Sequence, residues 1–178
     1  MPGAASLEAL GVSSGDPVPR PLRHGRASPR GVLVVGLGDE DRGDGAVGLH
    51  LLHCLAQLDW PASVVFCEAD DSLPARAEGF ARIILLEAIE GTEQPGSLYQ
   101  ADPKELLANS VGGAGSGLGL LTMLSPAVLE RVSIFGVQPL NTNWGSALST
   151  DVIAAMPALM SYLRMQILKA ASESQLAN

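Results

Sequence analysis

The sequence predicts an α/β fold in which helices cover both faces of a mostly parallel sheet. Short, mainly apolar runs rich in β-branched residues lie at 32–35, 83–86 and 132–137, and such runs are typical of strands buried on both faces. Segments with apolar residues at helical spacing lie between and after these runs, and no internal repeat interrupts the alternation. Strands that alternate with helices favour parallel pairing through helical crossovers.

The composition indicates one globular domain with an aliphatic core. The chain has 178 residues, of which 47% are apolar, 17% charged and only 4% aromatic. The net charge of −8 disfavours nucleic acid as a partner, because binding to phosphates depends on Lys and Arg, but it is compatible with a metal or a basic peptide. No apolar run is long enough to span a membrane and no signal-peptide core is present, so we expect a cytoplasmic protein with no membrane partner.

Residues 1–30 are predicted to form a disordered or poorly ordered leader. They contain five of the twelve prolines and no periodic apolar pattern. A solvated tail and a partner-docking arm both fit such a segment, and the composition favours the tail. The single α/β domain is then expected at residues 31–171.

The first element, a buried strand at 32–35, leads into an acidic, glycine-rich turn. Gly36 and Gly38 allow the backbone to turn tightly. Four acids then occupy six positions, namely Asp39, Glu40, Asp41 and Asp44. Because ligands of open α/β sheets bind at the carboxyl ends of strands, we expect this loop to border any active site.

A helix is predicted at 46–58, with Asp44 as its N-cap. Its sheet-facing side is predicted to carry Val47, Leu51, Cys54, Leu55 and Leu58. The opposite face carries His50, His53 and Gln57; a solvated face is favoured there over a metal site, because no third ligand is near in sequence. Cys54 and Cys67 belong to no CxxC pair, and we expect both to be buried free thiols.

The clearest central strand is predicted at 82–89. A short strand at 63–67 and a short helix at 73–79 precede it, and an edge strand at 97–100 follows. Glu87 lies near its end, and a carboxylate inside an apolar strand is costly unless it is paired, protonated or bound to a metal. Glu87 is therefore a candidate functional acid. The alternative is that the strand ends at Leu86 and that Glu87 faces water.

In the second half of the chain, the sequence predicts two helices separated by a glycine-rich loop. A short helix at 103–108 comes first, and five glycines then occupy the eight positions 112–119. No Lys or Arg lies between Lys104 and Arg131 to complete a phosphate site, so we predict a flexible loop that leads into a helix at about 118–124.

The last core strand, at 132–137, is followed by a polar loop at 141–146 that holds Trp144. Ser149 is predicted to cap a long helix. The buried face of that helix is predicted to carry Val152, Met156, Leu159, Leu163 and Ile167. Pro157 should kink or break the helix, and residues 172–178 should fray.

Four stretches, in this order, resemble motifs of the hydrogenase maturation endopeptidases. They are GLGDEDRGDGAVG after the first strand, IILLEAIEG with its later PGSL turn, SIFGVQP at the last strand, and GSALS before the last helix. The resemblance covers about residues 31–165. It implies a three-layer sandwich with a twisted, mainly parallel five-stranded sheet and helices on both faces.

The resemblance also implies an activity, which is the removal of the C-terminal extension of a nickel–iron hydrogenase large-subunit precursor after nickel insertion. It implies that three side chains recognise the nickel held by the substrate: an acid in the first loop, an Asp at the end of the central strand, and a His before the fourth helix. In this sequence those positions correspond to Gly45, Glu87 and about Ala114, so only Glu87 offers a ligand.

The resemblance thus assigns a partner but no cofactor of the protein's own. The partner is the hydrogenase large-subunit precursor, and nickel enters with it. Asp44, which precedes Gly45, and Glu87 are the candidate metal ligands, and Gly38 and Asp39 are the candidate substrate-binding residues. No residue is assigned to catalysis, and a monomer is expected.

Two alternatives to an endopeptidase stay open. A non-catalytic relative would act as a hydrogenase assembly factor or precursor-binding chaperone, as the residues at Gly45 and Ala114 indicate. A nucleotide-binding α/β domain is the weaker alternative. The third glycine of G-x-G-x-x-G would fall at Asp41, and the loop acids would repel a pyrophosphate.

Overall fold

The computed structural model, which describes residues 29–109 and 116–176, contains one five-stranded sheet. In chain order the strands are β1 (Val32–Gly36), β2 (Val64–Glu68), β3 (Arg82–Ala88), β4 (Leu98–Ala101) and β5 (Val132–Val137). Their spatial order is β2-β1-β3-β5-β4, and every neighbouring pair is parallel except the antiparallel pair of β4 and β5. The predicted central and edge strands are confirmed.

Helices cover both faces of this sheet. They are α1 (Val47–Ala56), α2 (Leu73–Ala77), α3 (Pro103–Asn109), α4 (Ser116–Met123), α5 (Pro126–Leu129) and α6 (Thr150–Leu176), and a 3-10 turn (Gly43–Ala46) precedes α1. None of the described helices is both long and apolar enough to cross a membrane.

The core consists of two apolar layers, one on each side of the sheet. Side chains alternate between the faces along a strand, so Val32 and Val34 pack with α1 and α6, whereas Leu33 and Val35 pack with α2, α4 and α5. All four side chains are fully buried. This arrangement is the predicted three-layer α/β sandwich, and it explains why β1 carries apolar residues at every position rather than at alternate ones.

Glu87 lies inside β3, so the alternative that the strand ends at Leu86 is wrong. The β3–β5 register pairs Glu87 with Gly136 and continues to Ala88 and Val137. Glu87 is only 9% exposed.

Three helix predictions need correction. The helix predicted at about 118–124 is present, but α4 begins two residues earlier, at Ser116, because Leu121 and Leu124 bury themselves in the α2 layer; residues 112–115 of the glycine-rich loop lie outside the described part. Helix α6 continues through Pro157, so the predicted break is wrong, while a kink there stays a prediction. It also runs to Leu176 rather than fraying at 172, and the buried Ser174 donates its hydroxyl to the Ala171 carbonyl.

The cysteine prediction is half wrong. Cys54 is exposed, because its place on α1 turns it away from the buried stripe that contains Val47, Leu51 and Leu55. Cys67, at the end of β2, is partly buried. His50 and His53 lie on the solvated face of α1, as predicted.

Candidate functional site

The strand order indicates at which edge of the sheet a ligand would bind. From β1 the chain crosses to β2 on one side, while β3 lies on the other side of β1 and leads on toward β5. Ligands of open α/β sheets bind where the strand order reverses in this way, at the carboxyl ends of the strands. Here that edge is built from the loops after β1, β3 and β5, residues 37–46, 89–97 and 138–149, which we call the carboxyl edge.

The first loop is held tightly against the end of β3. Leu37 N donates to Leu86 O at 2.8 Å. A Cβ at Gly38, where φ is +134°, would lie 2.3 Å from Gly45 O, and a Cβ at Gly48 would lie 2.2 Å from Leu86 O. Glycine is therefore required at both positions, since any side chain would push the loop off the central strand.

Asp44 joins the first loop to the loop after β5. It is fully buried, and its carboxylate accepts backbone N–H groups from Ser149 at 2.6 Å, Leu140 at 2.8 Å and Asn141 at 3.1 Å. Its own N–H donates to Asn141 O at 2.8 Å. Burial raises the pKa of the Asp44 carboxyl, but the three N–H groups together with the Ser149 hydroxyl outweigh burial and hold its pKa below the ordinary value.

These contacts bear on two predictions for Asp44, of which the helix cap is wrong. It does not cap α1, because Ala46 occupies the N-cap position and Asp44 lies inside the 3-10 turn with its carboxylate bonded elsewhere. Its assignment as a metal ligand stays a prediction, and a cation there would share the carboxylate with three backbone N–H groups.

Gln138 anchors the loop after β3, much as Asp44 anchors the loop after β5. Its Oε1 accepts from Gly91 N and from the Tyr99 hydroxyl, both at 2.8 Å, and that hydroxyl accepts from Glu93 N at 3.1 Å. Gln138 is 8% exposed. Because buried polar groups stabilise only when paired, this network fixes the 89–97 loop to the ends of β4 and β5.

Glu87 therefore lies between two braced loops. Its side chain is on the same sheet face as Leu85, toward the layer of α2, α4 and α5. Residues 110–115, which lead into α4 and include Ala114, lie outside the described part. Within residues 29–109 and 116–176, no group of three or more His, Cys, Asp or Glu residues has the geometry to hold a metal ion. The assignment of Glu87 to nickel recognition stays a prediction.

The candidate substrate-binding residues lie on the surface of the carboxyl edge. Gly38, Asp39, Glu40 and Asp41 are all exposed. The Asp39 carboxylate accepts from Asp41 N at 3.0 Å, which shapes the turn. Exposed acids here remain unfavourable for a pyrophosphate, while the role of Gly38 and Asp39 in substrate binding stays a prediction.

Neighbouring titratable groups form pairs away from these loops. His53 Nε2 lies 2.8 Å from Glu68 Oε1, and both side chains are largely exposed. Burial raises the pKa of the Cys67 thiol, although Arg76 opposes the shift. Cys67 is therefore a neutral thiol at neutral pH, a poor nucleophile and a poor metal ligand.

Two surface clefts lie elsewhere on the molecule. One, of about 250 Å³, is lined by Arg82, Ser133 and Glu173 among others; the second, of about 420 Å³, is lined by Leu98, Leu159 and Tyr162 among others. Both open between α6 and the β4–β5 side of the sheet. Neither cleft is lined by a residue of the carboxyl edge. The candidate site is therefore located by the strand topology and not by the size of a cleft.

Comparison with solved structures decides the fold family. The hydrogenase maturating endopeptidase HybD from E. coli superimposes with a TM-score of 0.67 at 20% identity, over 79% of this chain and 93% of that one. The [NiFe] hydrogenase maturation protease HycI from Thermococcus kodakarensis KOD1 gives 0.63 at 22% identity, over 80% and 95%. The fold is that of the hydrogenase maturation proteases.

A second archaeal protein supports the same conclusion. The [NiFe] hydrogenase maturation protease HybD from Thermococcus kodakarensis gives a TM-score of 0.60 at 24% identity, over 77% of this chain and 99% of that one. No family model and no curated protein sequence matches the chain. The likeness to the hydrogenase maturation proteases is therefore one of fold, and comparison of whole sequences does not detect it.

Sequence reasoning missed three residues that organise this edge. Gln138 appeared only as part of the SIFGVQP motif, and Arg42 and Trp144 appeared only as loop residues. Arg42 lies under the Trp144 ring, with its guanidinium carbon 5.4 Å from the ring centroid. No local signal identifies such contacts, because their partners are far apart in the chain.

Proposed function

We propose that this chain serves nickel–iron hydrogenase maturation as an endopeptidase that removes the C-terminal extension of a large-subunit precursor after nickel insertion. The observation that supports the proposal is the fold, shared over 77–80% of the chain with HycI and HybD, which are themselves hydrogenase maturation proteases. The ordered motifs of the sequence fall at the strand ends of that fold, where such a substrate would bind.

Glu87 is the residue we assign to the chemistry. It is the last residue but one of the central strand, between the two braced loops, and a carboxylate is a ligand for a divalent transition metal. Nickel is part of the substrate in this reaction, and it would polarise the scissile carbonyl or deliver an activated water. Asp44 and Gln138 would act only by positioning the loops on either side.

Intact-mass analysis tests this function. Incubation of the full-length chain with a nickel-loaded precursor should give a product shortened by the C-terminal extension, and Glu87→Gln should abolish it while Glu87→Asp retains it. A maturation protease acting on its own precursor in parallel shows that the loading is sound. If that control cleaves and this chain does not, the endopeptidase proposal fails.

A second candidate, a non-catalytic assembly factor that grips the precursor, is favoured by the donor set. Gly45 offers no side chain, and Asp44 uses its carboxylate to anchor a loop. In this case the chain would co-purify with the precursor, and the mass of the precursor would stay unchanged. Failure to bind any large subunit would exclude this candidate and would leave the fold without the family's function.

A further inference from the structure

The loops after β1 and β5 together form a platform that exposes an aromatic side chain. The platform consists of residues 39–46 and 140–149. Trp144 is 67% exposed and Leu140 is 58% exposed. Single exposed apolar residues are common on proteins, so exposure alone carries no conclusion. The notable feature is how firmly these two are held.

Backbone hydrogen bonds at the two residues after Trp144 tie its segment to the first loop. Gly145 N donates to Asp41 O at 2.7 Å, and Gly43 N donates to Ser146 O at 3.1 Å. The Asp44 carboxylate accepts the backbone N–H of Leu140 and so holds that residue in place. The Trp144 ring lies over the Arg42 guanidinium at 5.4 Å, a cation–π distance. Because these contacts already order the loop, a partner that binds Trp144 would lose little conformational entropy by fixing it.

Apart from Arg42, the charged side chains of the platform are acidic. Asp39, Glu40 and Asp41 are exposed on the platform. Arg42 is the only Lys, Arg or His in residues 39–46 and 140–149, and the Trp144 ring covers it. An approaching segment therefore meets an apolar centre flanked by carboxylates, a surface complementary to cationic side chains and repulsive to anionic ones.

We propose that this platform docks a peptide segment of a partner protein that presents an apolar side chain flanked by Lys or Arg. Trp144 and Leu140 contact the apolar side chain, and Glu40 and Asp41 pair with the flanking cations. The identity of the partner rests on the proposed function, in which the segment belongs to the hydrogenase large-subunit precursor. Trp144 then selects the substrate by contacts separate from nickel recognition at Glu87.

Binding of defined peptides to the full-length chain tests the platform without requiring cleavage. The probes are three fluorescein-labelled decapeptides, one of alternating Lys and Leu, one of alternating Glu and Leu, and one of alternating Lys and Ser, measured by anisotropy. The Lys/Leu peptide should bind at least about tenfold more tightly than either of the others, since only it meets both requirements.

Matched variants separate the platform from the general acidity of the protein. Trp144→Ala should weaken Lys/Leu binding about tenfold, and Glu40→Gln with Asp41→Asn should weaken it severalfold. Asp59→Asn with Glu105→Gln removes two exposed charges away from the platform and should change binding less than twofold. Trp144→Phe, which retains an aromatic ring, should lose less than Trp144→Ala and guards against a folding defect.

Equal losses in the platform and control pairs, or no loss in Trp144→Ala, would overturn the proposal. These outcomes are independent of the proposed function. Peptide binding that depends on Trp144 without precursor cleavage would leave the platform standing and would remove only the endopeptidase. Precursor cleavage that is unchanged by Trp144→Ala would leave the endopeptidase standing and would remove the platform as a docking site for that precursor.

Discussion

At the level of single residues, Asp44 shows how an acid in an acidic loop becomes a structural anchor. Its three acceptor bonds reach residues 96, 97 and 105 positions away in the chain. A carboxylate that accepts several backbone N–H groups is one of the strong cases of hydrogen bonding, because one partner is charged. Sequence reasoning expected a helix cap because the only signal it could use was the local one, an Asp before a helix.

Asp44→Asn should therefore destabilise the protein strongly. The amide keeps one oxygen but directs an NH₂ group at backbone donors, so we expect a loss of about 2 kcal/mol in the free energy of unfolding. Urea denaturation followed by circular dichroism measures this loss. Asp41→Asn, in an exposed position of the same loop, is the control and should cost less than about 0.5 kcal/mol. Similar losses in both variants would deny Asp44 its anchoring role.

The same carboxylate predicts a pH dependence of stability. The pKa of Asp44 is lower in the folded protein than in the unfolded chain, where it is near 3.9. Its contribution is therefore fully present above about pH 4 and is lost as the pH falls through the folded-state value. The difference in unfolding free energy between the wild type and Asp44→Asn should be constant from pH 5 to 8 and should shrink below pH 4. A difference that grows on acidification would contradict this assignment.

Gly45 and Gly48 look alike in the sequence and differ in the structure. A Cβ at Gly45 would meet Arg42 Cβ at 3.1 Å and nothing else closer than 3.9 Å, whereas one at Gly48 would lie 2.2 Å from Leu86 O. Gly45→Ala should thus cost less than about 1 kcal/mol and Gly48→Ala more than about 3 kcal/mol, since backbone cannot give way as a side chain can. Thermal unfolding of both variants decides the matter.

At the level of elements, the strands were the most predictable part of the chain. β1, β3 and β5 are buried on both faces, so their apolar runs carry a clear signal, and Glu87 is conspicuous because it interrupts one. The start of α4 was not predictable, because glycines at 117 and 119 argue locally against a helix that Leu121 and Leu124 then stabilise by burial. The candidate site followed the same division: Glu87 stands out from its own strand, although its role stays a prediction, while the contacts of Gln138 and Arg42 depend on distant partners.

Pro157 in α6 is a second case in which packing overrides local preference. The helix continues through it because Val152 on one side and Leu159 and Leu163 on the other are buried against the same layer. Proline nevertheless lacks the N–H that would reach the Ile153 carbonyl, and it costs about 3 kcal/mol relative to alanine in a helix interior.

Replacing Pro157 with Ala should therefore stabilise the protein. We expect a gain of about 1–3 kcal/mol and a higher melting temperature, measured by differential scanning calorimetry. Ala154→Gly, on the exposed face of the same helix, calibrates the scale and should cost about 1 kcal/mol. An unchanged or lower melting temperature for Pro157→Ala would mean that the packing of α6 depends on a bend at the proline.

At the level of the whole molecule, the sheet both joins the two apolar layers and orients the site. The β1–β3 reversal brings the loops of the carboxyl edge together, and Asp44 and Gln138 link those loops to one another. The function proposed above depends on this edge alone. Its rigidity depends on both layers, because β3 is packed from both faces and carries Glu87 at its end.

The two layers should consequently unfold as one cooperative unit, as a single domain requires. Leu85 packs in the α2 layer and Leu86 in the α1 layer, and both are fully buried. Each Leu→Ala change should cost about 2–5 kcal/mol.

In a Trp144→Phe background Trp60 is the sole tryptophan and reports on the α1 layer, while circular dichroism reports on all helices. Leu85→Ala should shift both signals to the same lower urea midpoint. If Trp60 fluorescence kept its wild-type urea midpoint while the dichroism signal was lost at a lower urea concentration, the two layers would be separate folding units. The carboxyl edge would then be stabilised by one layer independently of the other.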